Sequence, residues 1–198
     1  MLDRIGDEVA RATSIVRYAP GSHFSPHTHG GGEEFLVLDG VFQDEHGDFP
    51  AGSYIRNPPT SSHTPASVPG CTLFVKLWQF DLADRTEVRR DTAALPYQPV
   101  PGRPGVEVIP LFRDRRETVR LERWQPGTGV ELAVPGGLEL LALDGSFSEG
   151  GEIFEPQSWL RLPCGSTLRA EGGASGCRLW LKEGHLAYAQ TVPGLPAL

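Results

Sequence analysis

The residues best suited to chemistry in this chain are His27, His29, Glu33 and His63. Two histidines at i and i+2 on an extended segment point to the same face, because side chains alternate across a strand. Gly30, Gly31 and Gly32 follow and permit a tight reversal of the backbone. Glu33 then opens an apolar run, and His63 comes about thirty residues later. Imidazole and carboxylate ligands brought to one point suit zinc, iron, manganese, nickel or copper. The expectation is a metal site.

The elements that must position these side chains read as short strands between turns. Residues 12–19 form a first strand with β-branched content, stopped by Pro20 and Gly21, and residues 23–29 a second. Residues 33–38 and 41–43 read as two strands joined by a turn at Asp39-Gly40. A polar loop, Glu45-His46-Gly47-Asp48, leads to a strand at residues 53–56. Residues 57–62 cannot be interior strand, since Pro58 and Pro59 lack the ladder donor, and their role is to place His63. Residues 71–80 form a long apolar strand, residues 84–94 are weakly helical, and residues 95–105, with prolines at 96, 99, 101 and 104, read as a linker.

Composition sets the class. The chain has 198 residues, 18 prolines, 24 glycines and no sustained helical period, which points to an all-β protein. A net charge of -7 argues against an electrostatic nucleic-acid partner. No run of about 20 apolar residues suggests a membrane span. Cys71, Cys164 and Cys177 are an odd set without metal-type spacing and read as buried thiols of a cytoplasmic protein.

The pattern repeats after the linker. Residues 36–42, LVLDGVF, recur as LALDGSF at 141–147, and residues 70–77, GCTLFVKL, recur as GCRLWLKE at 176–183. GSYIRNPP at 52–59 recurs as QSWLRLPC at 157–164, so the offset is 105 or 106, with a one-residue gap allowed near the ligands. Two copies of one β-unit imply an internal pseudo-dimer: a first domain at 1–94, the linker at 95–105 and a second domain at 106–198. The second copy has lost the ligands. With the gap, Ala133 and Val134 or Pro135 stand at His27 and His29, Leu138 at Glu33, and Leu168 or Arg169 at His63. One metal per chain is therefore expected. The unit folds without this polar cluster, which weakens a purely structural reading of the histidines.

Gly21, His27, His29, Glu33 and Gly40 match the first motif of the cupins, G-x5-H-x-H-x3–4-E-x6-G, at every fixed position. Gly52, Pro58 and His63 match the second motif, with Thr60 in place of its second glycine and Ser67 in place of its asparagine. More narrowly, residues 9–80 resemble the cupin domain of the ChrR-type anti-sigma factors. The resemblance implies two tandem cupin barrels of the jelly-roll or double-stranded β-helix type. It further implies that His27, His29, Glu33 and His63 hold one divalent metal (iron, zinc, manganese or nickel) in the mouth of the first barrel. ChrR-type factors carry a helical sigma-inhibitory domain ahead of the cupin, and this chain begins almost at the cupin, so a sigma factor is not the expected partner.

Three functions remain open at this level: a sensor of a small molecule or oxidant, a non-haem dioxygenase, and a non-catalytic ligand-binding bicupin with structural zinc. The expected partner is a small molecule; homodimerisation is open, and no catalytic residue is assigned beyond the ligands. Strand alternation places Glu34 on the face opposite Glu33. Phe24, Phe35, Val37, Tyr54 and Trp78 are candidates to line the cavity, and His23 shares the face of His27. His46 reads as solvated, His185 has no partner nearby in sequence, and Arg56, which recurs as Arg161, reads as structural. Aligning Leu111 with Leu2 leaves residues 106–109 without a counterpart in the first copy, so the first barrel is expected to lack one edge strand or the gene to start upstream.

Overall fold

The apolar runs between glycines and prolines all become strands. The computed structural model describes residues 1–6 and 9–188, and among these the only helical pieces are two 3-10 turns, Thr92–Ala94 and His185–Tyr188. The described residues are all-β and fall into two compact units, 1–94 and 95–188. No helix among the described residues is long and apolar enough to cross a membrane.

The first unit holds eleven strands: β1 (Asp3–Gly6), β2 (Ala10–Tyr18), β3 (Ser22–His23), β4 (His27–Thr28), β5 (Glu33–Asp44), β6 (Gly47–Pro50), β7 (Ser53–Asn57), β8 (Ser62–His63), β9 (Ala66–Ser67), β10 (Cys71–Leu77) and β11 (Val88–Asp91). One ladder runs β1-β2-β10-β5-β7-β11, all antiparallel. Further pairs complete the unit: β3 with β9, β6 and β9 with the far half of β5, and β4 with β8. Strand β5 thus belongs to both sides. Its first half pairs with β7 and β10, its second half with β6 and β9. Alternation on the inward face gives a core of Phe35, Val37, Phe42, Ile55, Cys71, Leu73 and Val75.

The second unit repeats this with β12 (Gln98–Pro99), β13 (Val106–Arg113), β14 (Thr118–Trp124), β15 (Gly129–Val134), β16 (Leu138–Glu149), β17 (Glu152–Phe154), β18 (Trp159–Leu162) and β19 (Ser166–Glu183). Its ladder is β12-β13-β14-β19-β16-β17, with β15 on β19 and β18 on β16. Matching registers relate the copies: Tyr18 opposite Cys71 corresponds to Trp124 opposite Cys177, and Glu33 opposite Asn57 to Leu138 opposite Leu162.

Four local expectations change. Asp39-Gly40 does not end the strand: β5 continues through it with a register shift against β10, and Gly40 sits at φ +73°. A β-bulge needs the same left-handed glycine as a turn, so the local signal is identical. A Cβ on Gly40 would run into the carbonyl of Gly70, and Gly145 approaches Gly176 in the same way. The second expected strand, 23–29, breaks into β3 and β4, as Pro26 cannot continue a ladder. Residues 84–94 are not helical. Val88–Asp91 pair with Ser53–Arg56 as an edge strand, and only Thr92–Ala94 coil. Within 95–105, Gln98–Pro99 pair with Glu107 and Val108 as part of the second unit. At the other edge, β1 covers only residues 10–13 of β2, whereas β13 covers all of β14.

Candidate metal centre

Strands β4 and β8 form a two-residue ladder that sets His27 opposite His63, stitched by a 2.8 Å contact between the Thr28 and Ser62 hydroxyls. The His29 amide donates to the Ser61 carbonyl, and the Thr60 amide donates back to the His29 carbonyl. Thr60 takes φ +75°, the left-handed conformation of the motif glycine it replaces, so the second-motif loop keeps its path. One nitrogen from each of His27, His29 and His63 lies within 4.8 Å of the others. His29 Nε2 is 2.9 Å from His63 Nε2, and Glu33 Oε2 lies 3.4 Å and 3.5 Å from those two nitrogens.

These spacings suit a cation. Two ligands on one ion with bonds of about 2.1 Å sit roughly 3.0 Å apart in octahedral and roughly 3.4 Å apart in tetrahedral coordination. The ring tautomers suit it too. His27 Nδ1 is 3.0 Å from the Ser25 carbonyl, which can only accept, so Nδ1 carries the proton and Nε2 offers its lone pair. His63 Nδ1 is 3.2 Å from Asp44 Oδ2. Burial pushes the Asp44 carboxyl up, but the contact with His63 and the His46 amide outweigh it and hold Asp44 below its ordinary value. Asp44 is therefore an ionised acceptor, and His63 likewise turns a bare Nε2 toward Glu33 and His29. Burial, then His63 and His27, lower the His29 pKa to about 4, so its imidazole is neutral near pH 7. Burial raises the Glu33 pKa, against the pull of His63 and the Asn57 amide, which donates to Glu33 Oε2 at 3.2 Å. A carboxylate buried beside lone pairs and lacking a compensating cation is costly, and a divalent ion satisfies all four groups at once.

Aromatic side chains form the floor. The Phe42 ring lies 5.7 Å from His63, 4.7 Å from Phe35 and 6.2 Å from Tyr18, which in turn packs 4.6 Å from the exposed Phe24. Asp44, Asn57 and Tyr18 were not legible as site residues, because each is brought to the site by strand pairing: Asp44 at the far end of β5 meets His63, Asn57 on β7 lies opposite Glu33, and Tyr18 on β2 packs on Phe42. The other sequence candidates separate clearly. Tyr54 lies on the opposite face and donates to buried Glu34 at 2.6 Å. Trp78 packs on the ligand loop: a Cβ on Gly31 would run into its indole. His23 and His46 are exposed and outside the histidine cluster. His185 is buried, 3.5 Å from Glu139. Arg56 is buried, paired with Asp84 at 2.8 Å and stacked on Phe80. Cys71 and Cys177 are buried as expected, but Cys164 is exposed, because it lies in the turn between β18 and β19.

In the second unit the ligand region runs at a constant offset of 105, with no gap. Thr28 opposite Ser62 becomes Ala133 opposite Thr167, so His27 and His63 correspond to Leu132 and Leu168 rather than to Ala133 or Arg169. His29 corresponds to Val134 and Glu33 to Leu138. Val134, Leu138 and Leu168 belong to the hydrophobic core of that unit, with Leu132 packed against it. Where the first copy gathers four polar ligands, the second fills the space with aliphatic side chains.

Comparison with known proteins agrees with this geometry. Residues 1–81 match the ChrR cupin-like domain family. No curated protein matches the sequence. Among solved structures, the chain is similar to a candidate dioxygenase from Nostoc punctiforme, at 16% identity and a TM-score of 0.77, over 95% of this chain and 73% of that one. It is similar to salicylate 1,2-dioxygenase from Pseudaminobacter salicylatoxidans, at 13% identity and a TM-score of 0.63, over 89% and 72%. Oxalate decarboxylase from Lactobacillus farciminis follows at 11% identity and a TM-score of 0.64, over 86% and 75%. At these identities the likeness speaks for the fold. With motif, ladder register and family match in agreement, the chain has the fold of two tandem cupin units, and its N-terminal unit is similar to the cupin domain of ChrR-type proteins.

Proposed function

We propose that His27, His29, Glu33 and His63 hold one divalent transition metal, and that the protein uses it to act on, or to sense, a small molecule with oxygen donors. The observation that carries this is the convergence of three imidazole nitrogens within 4.8 Å, with a buried carboxylate 3.4 Å and 3.5 Å from two of them. The dioxygenases among the structures of similar fold support oxygen chemistry as the kind of reaction, and the imidazole and carboxylate donors suit iron, manganese, nickel or, without redox chemistry, zinc as the ion.

When bound, such a metal supplies Lewis acidity and, if redox-active, the means to handle oxygen. The chain itself does the positioning. Ser25 and Asp44 fix two imidazole rings, and Asn57 steadies one oxygen of Glu33. Phe42 and Phe35 exclude water from beneath the histidines. His27 is exposed, so a small ligand has an open approach from that side. Burial, then the charges of Glu33 and Cys71, push the Tyr18 phenol well above its ordinary pKa. Neither a nucleic acid nor a membrane is needed as partner.

The test is elemental analysis of protein purified without added metal, followed by azide or acetylacetone titrated into the cobalt(II) form. The visible spectrum is expected to shift. A spectrum unchanged at saturating ligand, with the metal retained, means a closed structural site and removes the small-molecule reading.

A further inference from the structure

We infer that Trp78 is a positioning residue for the metal site, its indole setting the path of the loop that joins His29 to Glu33. This rests on the metal reading above and goes beyond it by assigning a role to a residue outside the ligand set.

Trp78 has φ +58°, a conformation in which a residue with a Cβ is uncommon. The second unit shows what the fold alone asks for there. Trp78 donates its amide to the Gly32 carbonyl, and in the second unit Gly184 donates to Gly137 in the same way, with φ +89°. Glycine fills this backbone position without strain, so the fold has no need of an indole at it.

The reason for the indole lies in what it touches. A Cβ on Gly31 would run into the ring, and one on Gly30 would meet it at 3.2 Å. Neither Gly30 nor Gly31 has a positive φ, so these glycines serve close approach rather than an unusual backbone. The next contact acts as an internal control. Gly32 is covered by Phe80 and its counterpart Gly137 by Leu186, so an apolar side chain on this third glycine is common to both copies. The indole is peculiar to the copy that keeps the ligands. Its ring lies flush on two of the three residues that separate His29 from Glu33, so it limits the excursions of both.

The test measures the dissociation constant for cobalt(II) or zinc by chelator competition, beside the Tm of the metal-free protein. Trp78→Gly copies the second unit and is expected to raise the constant about tenfold or more, with Trp78→Phe restoring part of the affinity. Phe80→Leu, copying Leu186, is expected to leave it unchanged. Gly30→Ala, at a position with only the indole within 4 Å, should weaken metal binding in the native background and have no such effect beside Trp78→Gly, because the contact then has no partner. If Trp78→Gly does not fold, Trp78→Phe and Gly30→Ala carry the test. A fall in Tm with unchanged metal affinity, or equal effects of Gly30→Ala in both backgrounds, leaves Trp78 a packing residue and overturns the proposal. Failure of the native protein to bind either metal overturns instead the metal reading on which it rests.

Discussion

Three residues other than glycine take a positive φ among the described residues, and each faces a glycine in the other copy. Thr60 and Trp78 in the first unit correspond to Gly165 and Gly184, and Gln157 in the second corresponds to Gly52. Such a conformation costs on the order of 1–3 kcal/mol in a residue with a side chain. Two of the three border the ligands: Thr60 hydrogen-bonds to His29, and Trp78 roofs the loop after it. The repeat therefore shows where the first unit tolerates strain. It does so around the histidine cluster.

The interiors differ in a second way. In the first unit the polar groups are the ligands, while β2 and β10 present Ser14, Val16, Tyr18 and Leu77. In the second, the ligand positions are aliphatic and the matching strand positions are Arg120, Glu122, Trp124 and Glu183. Arg103 grips Glu122 with two 2.8 Å bonds, Arg120 and Trp124 each add one of 2.7 Å, and Arg120 reaches Glu183 at 3.1 Å. Burial would raise the Glu122 pKa, but Arg103 and Arg120 outweigh it and keep the carboxylate ionised. One scaffold thus encloses buried polar groups in two ways, as a cluster of imidazoles and a carboxylate or as a network of ion pairs.

The largest effect should come from the ligands. Replacing His27 and His29 with alanine should abolish tight metal binding and leave the β-sheet circular dichroism largely intact, as the second unit folds with Leu132 and Val134 there. Elemental analysis should give one equivalent per chain; two equivalents surviving dialysis would break the comparison between the units. In the second unit, Glu122→Ala takes the shared carboxylate from buried Arg120 and half-buried Arg103 and should cost about 3 kcal/mol in denaturant unfolding without altering metal affinity. A change in affinity would show that the two interiors are coupled.

The pH response of the metal-free protein sharpens the contrast further. The His29 pKa falls from 6.5 to about 4 on folding, so between those values the unfolded chain binds the extra proton. Its contribution to stability is full above pH 6.5 and is lost as pH drops through that window, on the order of 3 kcal/mol by pH 4. Glu33, with its raised pKa, acts in the opposite sense, so the difference between native protein and His29→Ala isolates the histidine. Equal pH profiles for the two would contradict this account of His29. The smallest effect concerns Asp44. Asp44→Ala should weaken metal binding about 10–100-fold by freeing the His63 ring, whereas Glu149→Ala at the equivalent position of the second unit should change nothing.

What the sequence determined by itself was local: the i, i+2 histidines, the glycine run, Glu33 at the head of an apolar strand, and a repeat that preserves turns while losing ligands. Alternation and backbone freedom act over a few residues, so these features survive in a linear reading. Tertiary structure decided the rest. Asp39-Gly40 has the same chemistry as a turn or as a bulge, and only the ladder with β10 makes it a bulge. Residues 88–91 are an edge strand because β7 offers them an open edge, which no local propensity records. The constant offset that puts Leu132 at His27 came from the pairing of β15 with β19. Asp44 lies eleven positions beyond Glu33 on one strand, yet it meets His63 because β5 bends through its bulge and changes partners, bringing its two ends toward one point. Trp78 reads as an ordinary apolar residue until its indole is seen against Gly31, a contact set by the pairing of β10 with β5. Sequence spacing picks out the candidate ligands, but the groups that aim and steady them are chosen by distances through space.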